Sequence, residues 1–147
     1  MSARVPRPSS RRPALVGTPL ALALALGLAA CSGGDEGVDP STADWPEAVA
    51  PAEADGDLWV VWTAVAETGS EGALEEEVSR LGELGYDAQA WDPQCQEGAG
   101  EKIAGLTGYA DPTAVGLAFA SEEDAGVFDT RYEGATVMIT SGAYTCD

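Results

Sequence analysis

The chain reads LWVVWTAV over residues 58–65, an almost uninterrupted apolar run. A strand with one face in water alternates apolar and polar residues, whereas a strand covered on both faces does not. A second run of this kind, AVGLAFA, occupies residues 114–120. Both runs therefore predict strands at the centre of a sheet.

Each of these strands is followed by a helical pattern. Ser70 is a candidate N-cap for the first helix, whose apolar residues recur on one face. These residues are Leu74, Val78 and Leu81. Residues 121–124 read SEED, which resembles a capping box at the start of the second helix. The inward-facing residues of that helix are predicted to be Ala125, Phe128 and Tyr132.

Two shorter strands complete the pattern. Residues 87–91 alternate polar and apolar side chains and end before Pro93, as expected for an edge strand. Residues 135–140 also alternate, before Ser141 and Gly142 loosen the strand. The predicted order of elements is βαββαβ.

This order predicts an α+β domain over residues 58–147 with the ferredoxin-like βαββαβ arrangement, a four-stranded antiparallel sheet with two helices on one face. Right-handed crossovers place the first and third strands at the centre and the other two at the edges. Residues 94–112 are rich in glycine and lack a strand pattern. We expect one short helix there, around residues 101–106.

The first thirty residues have the composition of an export signal. An apolar run at residues 14–28 follows four arginines and leads into LAAC, whose cysteine is Cys31. The arginines are Arg4, Arg7, Arg11 and Arg12. This pattern resembles the signal peptide of a bacterial lipoprotein. The resemblance implies cleavage of residues 1–30, acyl chains such as palmitate on Cys31, and anchoring at the extracytoplasmic face of the cell membrane; two acyl chains suffice for stable attachment.

Other interpretations of this segment remain open. A transmembrane helix needs about 20 apolar residues, whereas residues 14–28 number 15 and include Gly17 and Pro19. An ordinary secretory leader is a second alternative, with the cysteine incidental. Residues 10–12 read SRR, so export by either the general secretory or the twin-arginine route is possible.

The mature chain is strongly acidic. Four of the seven basic residues precede Cys31 and all 25 acidic residues follow it, so the chain from Cys31 onward carries a formal charge of −22. This charge argues against binding to nucleic acid and against docking on anionic lipid headgroups. Residues 55–57 read DGD, which supplies too few oxygen ligands for a calcium loop. We expect neither a metal nor another cofactor.

Residues 31–57 are predicted to form a disordered tether between the anchor and the domain. From residue 32 to residue 57 the chain has eight acidic residues, no basic residue and three prolines. Such a segment buries too little apolar surface to offset the entropy of ordering it. Trp45 is the exception, and it either packs onto the domain or is incidental.

If Cys31 carries a lipid, two of the three cysteines remain, Cys95 and Cys146. In an exported protein we expect a disulfide between them, with two free thiols as the alternative. We expect the two edge strands to run in the same direction, so that both cysteines emerge at one end of the sheet. The edges are three spacings of about 4.8 Å apart, so the segment after Cys95 or the C-terminal tail must cross beneath the sheet to form the bond.

The domain is similar to the SPOR family, which binds the glycan strands of peptidoglycan. The resemblance lies in the βαββαβ order, in WVVW at residues 59–62 and in LGYDA at residues 84–88. It implies a cell-wall glycan as the partner. Residues 115–119 read VGLAF and depart from the RVxVGPF pattern of the family, so we transfer no binding residue from it.

Trp59 and Trp62 are candidate partner-binding residues on physical grounds. They are an odd number of positions apart and so project to opposite faces of a strand. Two helices cover only one face of a four-stranded sheet, so one tryptophan is expected on an open face, where it can stack on a sugar or a partner chain. Alternatively the tether, the loop at residues 94–112 or the disulfide covers that face.

Catalysis is not expected. The chain has no histidine, so it cannot assemble a Ser/His or Cys/His pair. Glu122 and Asp124 are a candidate carboxylate pair, but they more simply cap a helix. We therefore expect a lipid-anchored extracytoplasmic binding module whose partner is another envelope protein or a wall glycan. The alternatives are a SPOR-like peptidoglycan-binding domain and a purely structural surface lipoprotein.

Overall fold

The computed structural model describes residues 39–70 and 72–146. The predicted signal peptide, Cys31 and the first part of the predicted tether lie outside the described residues. The strands and helices are β1 (Asp57–Glu67), α1 (Gly72–Glu83), β2 (Ala90–Trp91), α2 (Ala99–Thr107), β3 (Pro112–Phe119), α3 (Glu122–Arg131) and β4 (Met138–Ala143). Short 3-10 turns at Pro51–Glu53 and Pro93–Cys95 precede β1 and α2.

The four strands form one antiparallel sheet in the order β2-β3-β1-β4. The predicted α+β fold with a ferredoxin-like sheet is confirmed. The two almost uninterrupted apolar runs form the central strands β1 and β3, which pair with each other over most of their length. Their burial on both faces explains why neither alternates apolar and polar residues.

The two edge strands run in opposite directions, so the prediction of parallel edges is wrong. β1 is antiparallel to β3 and to β4, and β3 is antiparallel to β2. Consequently β2 runs with β1, and β4 runs with β3. The connections through α1 and α3 cause this arrangement, because each of these two returns the chain to start a strand parallel to the one before it, whereas α2 joins the antiparallel strands β2 and β3.

The cysteines meet because the chain crosses beneath the sheet after β2, as the disulfide requires. Gln96 lies buried under the sheet, where its Nε2 donates to the carbonyl oxygen of Leu58 at 3.0 Å. We call residues 92–98, between β2 and α2, the crossing segment. The C-terminal tail runs against it, and Gln96 and Tyr144 form an isolated antiparallel bridge. Cys95 and Cys146 are disulfide-bonded, with their Cα atoms 5.0 Å apart.

Both faces of the sheet are covered by helices. Apolar residues of α1 and α3 pack on one face, as predicted, around Leu81 and Phe128. A third helix, α2, packs on the opposite face through Ala99 and Ile103. It occupies the place where the sequence indicated a short helix. Gly98 and Gly108 flank it with backbone φ angles of 72° and 77°, a conformation that glycine adopts without strain.

A β-bulge at Thr63 reverses the alternation of β1 between the two hydrophobic cores, one on each face of the sheet. The pairing with β3 shifts between Trp62 and Ala64, so the side chains change faces at this point. The residues of β1 that face α1 and α3 are Trp59, Val61, Ala64 and Ala66. Those that face α2 are Leu58, Val60, Trp62 and Val65.

The start of α3 agrees with the sequence signal, whereas the edge strands differ. Ser121 caps α3 by accepting a hydrogen bond from the N–H of Asp124 at 3.1 Å. β2 is only two residues long, and β4 continues through Ser141 and Gly142 instead of ending before them. Glycine is needed there because a Cβ atom at position 142 would lie 2.7 Å from the carbonyl oxygen of Glu97 in the crossing segment.

Residues 43–54, which we call the strap, pack against the domain. The Trp45 ring lies 5.9 Å from that of Phe128 and 6.3 Å from that of Tyr86. Further along, the N–H of Val49 donates to the carbonyl oxygen of Ala118 at 2.8 Å. The prediction of a disordered tether is therefore wrong for this segment, because its few apolar residues are enough to attach it to the core.

Candidate functional site

The structure places the two candidate tryptophans on opposite faces of β1, as expected, but neither lies on an open sheet face. Trp62 is 0% exposed and packs under α2. Trp59 is half-buried on the face that carries α1 and α3. The hypothesis of an open sheet face is wrong, because α2 covers that face. The alternative, in which residues 94–112 cover the face, is the one observed, since α2 lies within them.

Trp62 belongs to a buried network that holds the second core together. Its indole Nε1 donates to Oγ1 of Thr140 at 2.8 Å, and the hydroxyl of Thr140 donates to Oε1 of Gln96. Its ring lies 4.6 Å from the ring of Trp91. A buried indole usually finds such a hydrogen-bond partner. Trp62 is therefore a structural residue, and its assignment as a partner-binding residue is wrong.

Trp59 lines a shallow cleft of about 310 Å³ between α3 and the edge strand β4, which we call the Trp59 cleft. Gly126 of α3 and Ile139 of β4 form its other apolar walls, and Glu122 lies at its side. Ile139 is 40% exposed. Trp59 thus keeps access to a surface cleft, although this cleft is not on the face that the sequence suggested.

A larger cleft of about 460 Å³ lies where the strap meets the ends of α1 and α3. We call it the Trp45 cleft. Its walls include an aromatic ring of the strap, two arginines, and a tyrosine at the end of α3. The residues that line it include Trp45, Arg80, Glu83, Arg131, Tyr132 and Glu133.

Arg131 joins the strap to the domain at this cleft. Its guanidinium carbon lies 4.3 Å from the centre of the Trp45 ring, a cation–π contact. The same guanidinium donates a hydrogen bond to the carbonyl oxygen of Ala43. Arg131 is in the last turn of α3, where the helix dipole favours a cation.

A buried carboxylate fixes the other wall. Glu77 of α1 accepts a hydrogen bond from the hydroxyl of Tyr132, and Nη1 of Arg80 donates to its second oxygen at 3.1 Å. Burial, followed by the bond to Glu77, raises the pKa of Tyr132 to about 12. The contact with Tyr132, together with the Glu77 charge, raises the pKa of Arg80. The wall therefore presents a neutral phenol and a permanent cation.

The charges of this cleft differ from those of the rest of the chain. Only Arg80, Lys102 and Arg131 are basic after Cys31, and two of these three line the Trp45 cleft. Glu83 and Glu133 line it as well, and Arg80 is already paired with Glu76 and Glu77 at 3.4 Å and 3.1 Å. The cleft therefore concentrates basic side chains of this acidic chain, although carboxylates accompany them.

Sequence reasoning did not find this site, because its parts are distant in the chain. Arg80 and Arg131 lie on different helices, and Trp45 falls in a segment whose composition predicts disorder. The isolated aromatic residue in that acidic segment was the one available signal. Its packing onto the domain was one of the two alternatives, and the structure confirms it.

Residues 39–70 and 72–146 contain no group of three or more cysteine or carboxylate side chains placed to hold a metal ion. Within the same residues, no helix combines the length and the apolar character needed to cross a bilayer. Comparisons of the chain with protein-family models, with curated proteins and with solved structures find no match.

Proposed function

We propose that this protein is a lipid-anchored, extracytoplasmic binding module whose Trp45 cleft takes a cell-wall glycan. The observation that carries the proposal is the meeting of Trp45 with two of the three basic residues of the mature chain, Arg80 and Arg131, in one cleft. Wall glycans present sugar rings together with carboxylates and hydroxyls, and each of these groups has a counterpart on the cleft wall.

The chemistry of the wall supports this class of ligand. Trp45 is 36% exposed, so part of its indole is available to contact a sugar. Arginine has several N–H donors in a planar fork that matches a carboxylate. Glu83 and Glu133 are acceptors for sugar hydroxyls. A cleft of about 460 Å³ falls within the ordinary size range of small-ligand sites.

The proposed compartment follows from the cysteines. Disulfides persist in exported proteins and are rare in the cytosol, and Cys95 and Cys146 are bonded. Cys31 is then left for a lipid, as the lipoprotein-like signal implies.

We propose a role in binding without catalysis, because the chain has no histidine and the carboxylate of Asp124 accepts a hydrogen bond from Ser121, the cap residue of α3. The proposed site differs from the one that the SPOR resemblance suggested. The sheet face for which sugar stacking was expected lies under α2, so the glycan would bind beside the strap and not on the sheet.

Co-sedimentation with purified peptidoglycan tests this proposal, using the mature protein in detergent. We expect the wild type to sediment with the wall, and Arg131→Ala to lose most of that binding. Lys102→Ala is the matched control, since Lys102 is the third basic residue of the mature chain and lies on α2, away from the cleft. If neither the wild type nor either variant sediments with the wall, the glycan is not the ligand and a structural lipoprotein is favoured. Equal loss in both variants would assign the binding to general charge.

A further inference from the structure

The edge strand β4 lies within the longest uncharged stretch of the mature chain. Residues 134–146 contain no charged residue, although the chain from Cys31 onward has 25 acidic and three basic residues. The other two long uncharged stretches form β1 and β3, which are buried at the centre of the sheet. Exposed sheet edges in soluble proteins usually carry charges, prolines or bulges that prevent further pairing. β4 has no charge and no proline.

The outer edge of β4 is open along most of its length. In the sheet described for residues 39–70 and 72–146, β4 pairs only with β1. The side chain of Gln96 donates to the carbonyl oxygens of Thr140 and Gly142, both at 3.4 Å. The backbone of the crossing segment bonds to β4 at the last residue of the strand, where the N–H of Glu97 donates to the carbonyl oxygen of Ala143 at 3.0 Å. Ile139 is 40% exposed, and Ser141 is exposed as well.

A cleft for an apolar side chain lies next to this edge. The Trp59 cleft, about 310 Å³ in volume, is bordered by Trp59, Gly126 and Ile139 on its apolar sides. Strand addition needs two features, a free row of backbone groups and a pocket for alternate side chains of the added segment. The edge of β4 and the Trp59 cleft supply both.

Acidic residues surround the neutral edge. Glu122 borders the Trp59 cleft on one face of the sheet. On the other side, the Cβ atom of Glu97 lies 3.2 Å from where a Cβ at position 142 would be. Asp57 is paired with Ala143 at the end of the strand. Carboxylates in these positions attract lysine and arginine, and they repel a second copy of this acidic chain.

We infer that the outer edge of β4 is a strand-addition site for an extended, basic segment of a partner protein. The segment would pair with β4, place an apolar residue in the Trp59 cleft, and direct the alternate, basic side chains to Glu97 on the other face of the sheet. This surface is separate from the Trp45 cleft, so the inference goes beyond the proposed function and does not depend on it.

The test uses the mature protein in detergent and a short synthetic peptide in which lysine alternates with valine. A peptide with glutamate in place of lysine is the control ligand. Titration followed by calorimetry should show binding of the lysine peptide only. Ile139→Lys should weaken that binding about tenfold or more, since it removes an apolar contact and adds a repelling charge. Leu106→Lys is the matched control, because Leu106 is 59% exposed near the end of α2, the helix on the sheet face opposite the Trp59 cleft.

A second variant guards against misfolding. Gly126→Leu fills the Trp59 cleft from α3, where a Cβ atom would meet nothing within 4 Å, and it should also weaken binding while the far-ultraviolet circular dichroism stays unchanged. Equal binding of the two peptides, or equal effects of Ile139→Lys and Leu106→Lys, would overturn the inference. So would a dimer of the free protein that Ile139→Lys dissociates, since a second copy would then occupy the edge. Sedimentation with peptidoglycan should be the same for Ile139→Lys as for the wild type, which keeps this test apart from that of the Trp45 cleft.

Discussion

Trp62 lies directly on Gly116, its partner across the central pair of strands. A Cβ atom at position 116 would be 2.7 Å from Cε3 of the indole ring, so only glycine fits there. Trp91 covers the ring from another side, and its own indole Nε1 donates to the carbonyl oxygen of Gly116 at 3.3 Å. Trp62 can therefore pack in the core under α2 only because β3 has no side chain at position 116.

Gly116→Ala tests this packing. The added methyl group must displace the Trp62 ring, and such overpacking typically costs about 1–3 kcal/mol of unfolding free energy. Denaturant unfolding measures the loss. Gly105→Ala in α2 is the control, because a Cβ there meets nothing within 4 Å and alanine is favoured over glycine in a helix by about 1 kcal/mol. Equal stability of the two variants would contradict the described contact.

Loss of the disulfide should cost stability mainly through the unfolded chain. The bond joins residues 51 positions apart, and closing a loop of that size is worth about 4 kcal/mol in the chain-entropy account. The double variant Cys95→Ala, Cys146→Ala should therefore unfold at a lower denaturant concentration than the wild type. A reducing agent should lower the wild type to the level of the variant and leave the variant unchanged. A wild type that does not respond to the reducing agent would contradict the prediction.

Tyr132 should make the protein less stable in alkali. Its pKa is raised from 10.0 in the unfolded reference to about 12 in the fold, first by burial and then by its bond to Glu77. The unfolded chain therefore releases this proton first, and the contribution to stability is complete below about pH 10 and lost as the pH rises to about 12.

Tyr132→Phe should be less stable than the wild type at neutral pH, by about 1–3 kcal/mol, because buried Glu77 loses a donor. Between about pH 10 and pH 12 the difference between the two proteins should shrink. Urea unfolding at several pH values measures both effects, and the ultraviolet absorbance of phenolate reports the late ionisation. A constant difference across this range would mean that Tyr132 titrates normally.

Trp45→Ala should release the strap. The ring contacts Tyr86, Phe128 and Arg131 and is only 36% exposed, so its removal should cost about 1–3 kcal/mol. Hydrogen exchange at the Val49 amide, which donates to Ala118, should become faster in this variant. Trp45→Phe should retain most of the protection. Rapid exchange at Val49 in the wild type would show that the strap is not held.

The central strands and the first and last helices could be predicted because their signals are local. Unbroken apolar runs identified β1 and β3, and the cap at Ser121 identified the start of α3. The helix after residue 98 was recognised as well. Local signals do not show on which face of the sheet α2 packs, because that depends on where the chain crosses after β2.

The edges of the sheet and the strap were harder to predict for a related reason. Gly142 resembles a strand breaker in sequence, yet it is required by the approach of the Glu97 backbone, a contact between distant segments. The strap has a composition typical of disorder, but Trp45 and Val49 find partners on the domain. The Trp45 cleft likewise depends on contacts between the strap, α1 and α3, which are distant in the chain, so no sequence motif predicts it.

The central claim is that one cysteine carries a lipid at the outer face of the membrane while the other two are bonded to each other. Mass spectrometry of the intact mature protein from native membranes tests it most directly. The account predicts a chain that begins at Cys31, carries the added mass of glycerol-linked acyl groups, and weighs two hydrogens less than its reduced form. A chain that retains residues 1–30 and has three free thiols would contradict the account.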